Sequence, residues 1–310
     1  MCKSRVWQLK LTQFTQYLIY CRDLTAFKAF PSSFYPDLLV GINAIAPSNN
    51  QQAQVDARYA QNDLYSQRIV VFEDPQLAYS GSLAKAFKAD SSRVVDTETY
   101  TTGLANTIVQ AWQRAKEYNP DLLFFTGYAG DVSTLLTQLP PCPPSPQLCL
   151  QVLGGDALYV LGNYTNEVRP NLHRLRFTAF AYPDMWQIAN LGTDESPFFT
   201  EYPQDFDNKQ RHASPYGNSR PDADTILGYD ATLTLLTGYT NALTFTRVPT
   251  GSDIQRGLKQ ITRDHALQGA SGRIAFSPDN GADDTKVIVI LFVNGKNEVQ
   301  EMGISGQLLA

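Results

Sequence analysis

The sequence predicts an α/β fold in which parallel sheets carry helices on both faces. From residue 68 onwards, short apolar segments alternate with amphipathic helical segments, which is the pattern of successive β–α–β units. The segment Leu122–Phe125 is apolar at every position, as expected for a central parallel strand that is covered on both faces. Residues 121–156 then read as buried strand, glycine turn, short helix, Pro/Cys loop, second buried strand and carboxylate. This order favours a ligand-binding edge, because side chains at the carboxyl ends of parallel strands meet there.

The first half of the sheet follows from these apolar segments and the helices between them. Strands are predicted at Arg68–Phe72, from Val94, at Leu122–Phe125 and at Leu150–Leu153. Helices are predicted over about Ser80–Ala89, along the stripe Leu104, Ile108, Trp112 and Ala115, and along the stripe Val132, Leu135, Leu136 and Leu139. Pro120 ends the second of these helices, because proline cannot continue the hydrogen-bond ladder.

The second half is less regular. Residues 163–221 are rich in aromatic residues, Pro and Asn, and predict loops and a crossover around one strand at Leu175–Ala181. Regular helical periodicity returns in two segments, residues 224–243 with Asp222 or Asp224 near the N-terminus, and residues 251–261 with Ser252 or Asp253 as cap. Strands are predicted at Arg273–Phe276 and Val287–Val293.

The first 67 residues do not resemble the start of a doubly wound domain. Such a domain opens on a buried strand at the centre of its sheet, whereas this opening is interrupted by polar residues. The first plausible strand is Leu38–Ile45. We therefore expect the sequence to begin partway through a domain.

Composition limits the possible functions. A length of 310 residues allows about two domains. The net charge of -5 is spread without a basic block, so we expect no nucleic-acid partner. No segment approaches the ~18 consecutive apolar residues of a spanning helix. No signal peptide is visible in the sequence. We therefore expect a soluble chain that meets a membrane only through its partners.

Two of the four cysteines occur in the sequence PPCPPSPQLC. Cys142 and Cys149 are predicted to form a disulfide that closes this proline-stiffened loop, with free thiols as the alternative. The bond would indicate an oxidising compartment. We predict no metal site, because two cysteines supply too few ligands and His173, His212 and His265 lack metal-ligand spacing.

Three residues are candidates for a ligand site. Tyr79, Tyr128 and Asp156 each lie past the carboxyl end of a predicted strand, so they are expected at one edge of the sheet. A carboxylate between two aromatic hydroxyls suits an ammonium group, which favours both charge-assisted hydrogen bonds and ring faces. The alternatives are that Asp156 caps a turn or helix, and that both tyrosines are packing residues. The glycines around Tyr128 are too sparse for a phosphate or dinucleotide loop.

Several segments in order resemble the type I periplasmic binding proteins, specifically the branched-chain amino-acid (Leu/Ile/Val) receptors of ABC transporters. The resemblance runs from about Asp23 to Met302. Its segments are APSNNQQAQVDARYAQN leading into RIVVF, EDPQLAYSGSLAKAF, DLLFFTGYAGDVSTLLTQL, LQVLGGDALY, LGYDATLTLLTGY and GASGRIAFSPDNGADDTKVIVI. Members of the family have two α/β lobes that close on a small molecule held between them.

The resemblance implies a division of the chain and a role for the three candidates. Residues 1–67 would be the remnant of an incomplete first lobe, residues 68–210 the second lobe, residues 211–280 helices returning to the first lobe, and residues 281–310 the final strand of the second lobe and a tail. Tyr79 and Tyr128 match tyrosines of the family's ligand site. Asp156 matches an acidic residue that accepts the ligand's α-ammonium. No first-lobe ligand residue can be assigned.

The resemblance predicts a non-catalytic, extracytoplasmic solute-binding protein of an ABC importer. It would bind an amino acid or a related small polar molecule by hinge closure, without a cofactor, and would act with the transporter's membrane subunits in the periplasm or outside the cell. The alternatives are a ligand-sensing regulatory domain on the same fold and a truncated homologue that does not bind. A flavodoxin-like enzyme is disfavoured, because the strand ends offer neither a nucleophile with its base nor a cofactor loop.

Overall fold

The computed structural model describes residues 44–142, 149–160, 164, 166–206, 221–277, 281–294, 296 and 298–310. Its helices are α1 (Asn49–Asn62), α2 (Ala78–Asp90), α3 (Ala105–Ala115), α4 (Ala129–Gln138), α5 (Met185–Ile188), α6 (Phe198–Phe206), α7 (Ala223–Leu243) and α8 (Gly251–Leu258). Its strands are β1 (Ile69–Glu73), β2 (Val94–Thr99), β3 (Leu122–Phe125), β4 (Gln151–Gly154), β5 (Leu175–Ala179), β6 (Leu267–Gly269), β7 (Gly272–Ile274), β8 (Ile288–Val293) and β9 (Val299–Ser305).

A seven-stranded sheet organises these elements in the order β2-β1-β3-β4-β5-β8-β9. The first five strands are parallel, as predicted. Strands β8 and β9 extend the sheet in antiparallel fashion, and β6 and β7 form a separate antiparallel pair. The chain passes from β1 to β2 on one side and then to β3 on the other, so the strand order reverses between β1 and β3.

Helices cover both faces of the sheet. Alternate residues of β1 and β3 face opposite sides, which is why every position of β3 is fully buried. On one side, Ile69 and Phe124 pack with residues of α1 and α2 such as Ala57 and Phe87. On the other side, Phe72 and Phe125 join the larger cluster formed with α3 and α4. The predicted two-sided α/β architecture is confirmed.

Several local predictions need correction. Leu104 lies before the first residue of α3 and is 52% exposed, so it does not belong to the buried stripe. The cap of α8 is Thr250 rather than Ser252 or Asp253, because the Thr250 hydroxyl accepts from the Asp253 N–H while the Asp253 carboxylate accepts from the Thr250 N–H. Asp222 caps α7.

Other differences concern strands. The segment predicted at Arg273–Phe276 pairs as the short strand β7 with β6, and β9 was not predicted. Most of the strand predicted at Leu38–Ile45 lies outside the described residues, and Ile45 is not in a strand. Among the described residues, no helix combines the length and apolar character needed to cross a bilayer.

Candidate functional site

The candidate site lies at the carboxyl edge of the sheet, beside the reversal of strand order. In open α/β sheets, ligands bind in the crevice where the order reverses. Tyr79 lies in the first turn of α2, which follows β1, and Tyr128 immediately precedes α4, which follows β3. Their ring centroids are 6.1 Å apart, so the fold brings the two predicted tyrosines together. Tyr128 is 38% exposed, which leaves aromatic surface open at this edge.

Asp156 joins the tyrosines from the next strand. It begins a short 3-10 helix, Asp156–Leu158, two residues after β4 ends. The Tyr79 hydroxyl donates to its Oδ1 at 2.9 Å, and Gln52 Nε2 donates to the same oxygen at 3.2 Å. Within the described part of the chain, no donor other than Tyr79 and Gln52 contacts the Asp156 carboxylate, and Oδ2 has no hydrogen-bond partner there.

Gly155 leaves the space that Tyr79 and Gln52 need to reach Asp156. Its φ of -86° is ordinary for any residue, so glycine is not needed for backbone conformation. A Cβ at this position would lie 2.8 Å from Leu83 Cδ2 and 3.0 Å from Gln52 Nε2, and closer still to the Tyr79 hydroxyl. Glycine is therefore required because both donors to Asp156 cross directly over the backbone at this residue.

Buried polar side chains of α1 and β5 continue the hydrogen bonds of Asp156 into the core. Gln52 Nε2 also donates to Thr178 Oγ1 at 2.9 Å, and the Thr178 hydroxyl faces Asp56 Oδ2 at 3.5 Å. The side chains of Gln52 and Asp56 come from α1 and that of Thr178 from β5, and all three are fully buried. The five residues Gln52, Asp56, Tyr79, Asp156 and Thr178 are called the Asp156 network below.

The pKa shifts of Tyr79 and Asp56 determine which of the two groups can donate a proton within the network. Burial and the neighbouring Asp156 carboxylate raise the pKa of Tyr79 well above its usual value, so its hydroxyl stays protonated and donates. Burial raises the pKa of Asp56 well above the usual range of a carboxyl, and the Asp156 charge adds to the effect, although the Thr178 hydrogen bond opposes it.

Sequence reasoning did not identify Gln52, Asp56 or Thr178. One signal was available: Gln52 and Asp56 are one turn apart on α1, and their neighbours Ala53, Ala57 and Ala60 are buried. Polar residues on the buried face of a helix need buried partners, and that requirement identifies a network.

The predicted cysteines lie on another part of the sheet's surroundings, beside β4 and β5. Cys142 and Cys149 are joined by a disulfide, and His173 Nε2 lies 3.1 Å from Cys142 Sγ. The two sulfurs and the imidazole could form three ligands of a metal site only with reduced cysteines, because thiolates rather than disulfides bind metals. Burial lowers the pKa of His173, which favours its neutral form.

Two surface clefts lie outside the Asp156 network. One, of about 320 Å³, is lined by α1 residues such as Arg58 and by Asp90. The other, of about 310 Å³, lies beside Asp74 and Arg114. Neither cleft brings together a free carboxylate oxygen, a donor hydroxyl and an exposed ring, so we place the candidate site at the sheet edge.

Comparison with solved structures identifies the fold of this chain. The leucine-binding protein LivK from Thermotoga maritima superimposes with a TM-score of 0.68 at 21% identity, covering 85% of this chain and 67% of LivK. The chain has the type I periplasmic-binding-protein fold. The Streptococcus pneumoniae LivJ, a branched-chain amino-acid transporter substrate-binding protein in complex with isoleucine, shares this fold with a TM-score of 0.61, 15% identity and coverages of 83% and 65%.

A third type I binding protein widens the range of ligands. It is an ABC-transporter solute-binding protein from R. palustris in complex with benzoate, with a TM-score of 0.59, 12% identity and coverages of 86% and 66%. This chain therefore spans about two thirds of the length of these proteins. No protein-family model matches the sequence, and no curated protein sequence matches it.

Proposed function

We propose that this chain is an extracytoplasmic solute-binding protein of an ABC importer, and that it binds an amino acid or a related small molecule through an ammonium group. The observation that carries the proposal is the geometry of Asp156. Tyr79 and Gln52 hold one of its oxygens and leave the other available at an open edge beside the exposed ring of Tyr128. A fixed carboxylate next to an aromatic face is a strong acceptor for an ammonium group.

The solved structures of the same fold support solute binding in general. Their ligands include isoleucine and benzoate, so the fold alone does not select between amines and simple carboxylates. The choice falls to the site residues. A carboxylate with a free oxygen repels an anion and attracts a cation, so the Asp156 network favours a solute with an amine.

The importer role adds partners and a location. A solute that binds the closed form more tightly than the open form would shift the population toward the closed form by hinge closure. The closed form would then engage the transporter's membrane subunits. The protein would be non-catalytic and would need no cofactor. The Cys142–Cys149 disulfide supports an oxidising compartment such as the periplasm or the extracellular space.

A ligand screen with matched variants tests the proposal. Thermal unfolding of the purified chain is followed with L-amino acids, with simple amines such as isobutylamine and with carboxylates such as benzoate. A solute present at 100 times its Kd stabilises the folded state by about 2.7 kcal/mol. We expect a dose-dependent rise for amine-bearing solutes. Asp156→Asn should remove most of it, since a hydrogen bond to a charged group contributes about 1.5–3 kcal/mol.

Asp264→Asn is the control, because Asp264 is exposed on another part of the chain. It should respond to ligand like the wild type. A response to benzoate that exceeds the response to every amine would contradict the proposed ligand class. A cooperative melt with no response to any solute would contradict solute binding by this chain and would favour a truncated, non-binding homologue.

A further inference from the structure

Asp56 is a carboxyl group in an environment that does not support its charge. Its side chain is fully buried between α1 and β5. Oδ2 faces the Thr178 hydroxyl at 3.5 Å, which is a long hydrogen bond. Within the described residues, Oδ1 has no partner. An ionised carboxylate needs several donors to offset the loss of water, and this one has a single weak donor.

Gln52 lies one turn earlier on the same face of α1 and has the complementary deficit. Its Nε2 is fully used, because it donates to Asp156 Oδ1 and to Thr178 Oγ1. Its Oε1 is buried and has no partner among the described residues. Residues four apart on a helix are neighbours. The two atoms without a partner are Gln52 Oε1, which can only accept, and Asp56 Oδ1, which can donate only when it carries a proton.

The charged and titratable groups around Asp56 also favour its neutral form. Among the described residues, the ionisable groups that interact with it are Asp156, after β4, and Tyr79, on α2, and both are negative or neutral. On β5, Arg176 contacts Tyr59 and the ring of Phe292, and although its Nε has no hydrogen-bond partner among the described residues, it is not among the charges that shift the pKa of Asp56. The nearby contribution of β8 is apolar, through Ile288 against Val55.

We propose that Asp56 is a neutral carboxylic acid that positions Gln52, by donating its proton to Gln52 Oε1 and so holding the Gln52 amide with its NH2 group on Asp156. The inference rests on the proposed solute site, because its functional consequence is the affinity of that site. An ionised Asp56 would repel Oε1 and attract Nε2, so the amide would turn over. Asp156 would then lose one of its two donors and face an acceptor instead.

The direction of the pH effect follows from linkage. Burial raises the pKa of Asp56 in the folded state above its unfolded value. The folded protein therefore binds a proton that the unfolded chain has already released, so stability falls as the pH rises from the unfolded pKa toward the folded one. Asp56→Asn removes this loss, since the Asn amide can donate to Gln52 Oε1 and accept from Thr178 without titrating.

The first test needs no ligand. In infrared spectra at pH 7, the carbonyl band of protonated carboxylic acids should be weaker in Asp56→Asn than in the wild type and unchanged in Asp264→Asn, above a constant contribution from Glu301, whose pKa burial raises to about 7. In urea titrations, Asp56→Asn should become progressively more stable than the wild type as the pH increases from 5 to 9. A band of equal intensity in the wild type and Asp56→Asn, or a stability difference that does not change with pH, would overturn the neutral acid.

The second test addresses positioning. The side-chain amide resonances of Gln52, assigned through Gln52→Met, should shift with the Asp56 titration in the wild type and stay constant in Asp56→Asn. Resonances that are the same in both proteins at every pH would overturn the positioning role, whether or not a solute binds.

The third test measures affinity, with L-isoleucine as the probe in isothermal titration calorimetry. Over the pH range in which the isoleucine ammonium stays protonated, wild-type affinity should fall as the pH rises, Asp56→Asn should bind with a flat profile, and Asp56→Leu should bind at least tenfold more weakly throughout. Equal pH profiles for wild type and Asp56→Asn would contradict the link to affinity. Failure of all three proteins to bind, with the first two tests positive, would reject isoleucine as the solute and leave the neutral acid established.

Discussion

Substitution of Gly155 by alanine is the sharpest test of how the site is built. Atoms in contact pack at about 3.5 Å, so the Leu83 methyl, the Gln52 amide and the Tyr79 hydroxyl would each have to move by roughly 0.5–1 Å to admit the new methyl group. The backbone at Gly155 suits alanine, so steric crowding is the whole cost. Overpacking of this kind lowers the free energy of unfolding by about 1–3 kcal/mol.

The same displacement acts on the site. Two of the three groups that must move are the donors to Asp156, so we expect solute affinity to fall by about tenfold or more, equivalent to the loss of one hydrogen bond to a charged group. Gly130→Ala is the matched control, because Gly130 lies in α4 beside Tyr128 and its Cβ would meet nothing within 4 Å.

Urea unfolding and calorimetric titration of the two variants measure these effects. Gly130→Ala should be as stable as the wild type or more stable by up to about 1 kcal/mol, since alanine is the better helix former. If Gly155→Ala matched Gly130→Ala in both stability and affinity, the argument that the donors cross over a glycine backbone would be refuted.

Three further predictions concern other parts of the chain. Cys142→Ser combined with Cys149→Ser should lower stability by about 2.5 kcal/mol, the loop-closure value for a separation of 7 residues, and the reductant dithiothreitol should lower wild-type stability equally without affecting the double variant. Gly257→Ala should destabilise the protein, because the new Cβ would collide with the backbone of the facing helix α7. Its control, Gly228→Ala, places a Cβ in open space on α7 and should stabilise the protein by about 0.5–1 kcal/mol, so equal urea midpoints for the two variants would contradict the argument. Burial lowers the pKa of Lys286 to about 8, so the folded protein releases this proton at a lower pH than the unfolded chain does. The stability of the wild type relative to Lys286→Met should therefore rise with pH from about 8 upwards, and a pH-independent difference in urea titrations would contradict this prediction.

Much of the fold could be predicted because its central strands are buried on both faces. The segments β1 and β3 are short runs of apolar residues, and such runs leave little choice other than a covered parallel sheet. Strand β9, VQEMGIS, could not be found in the same way. Only its first residue is buried, so hydrogen bonds to β8 rather than an apolar pattern define it. Leu104 was misplaced because periodicity does not mark where a helix begins.

The site divides along similar lines. The juxtaposition of Tyr79, Tyr128 and Asp156 could be predicted from topology alone, since parallel strands present their carboxyl ends together. The contributions of Gln52 and Thr178 depend on a contact between residues 126 positions apart, which no local pattern encodes. Their role as ligand-site residues, like that of the three predicted ones, stays a prediction until a solute is identified.

The antiparallel addition of β8 to β5 has a consequence for synthesis on the ribosome. Arg176 of β5 pairs with Phe292 of β8, so more than a hundred residues must be translated after β5 before that edge can be closed. Until then the nascent chain presents a row of unpaired backbone groups, which can capture another extended segment. The assembly of this sheet is therefore exposed to intermolecular pairing until β8 has been translated, and slow elongation through residues 180–287 would prolong that exposure.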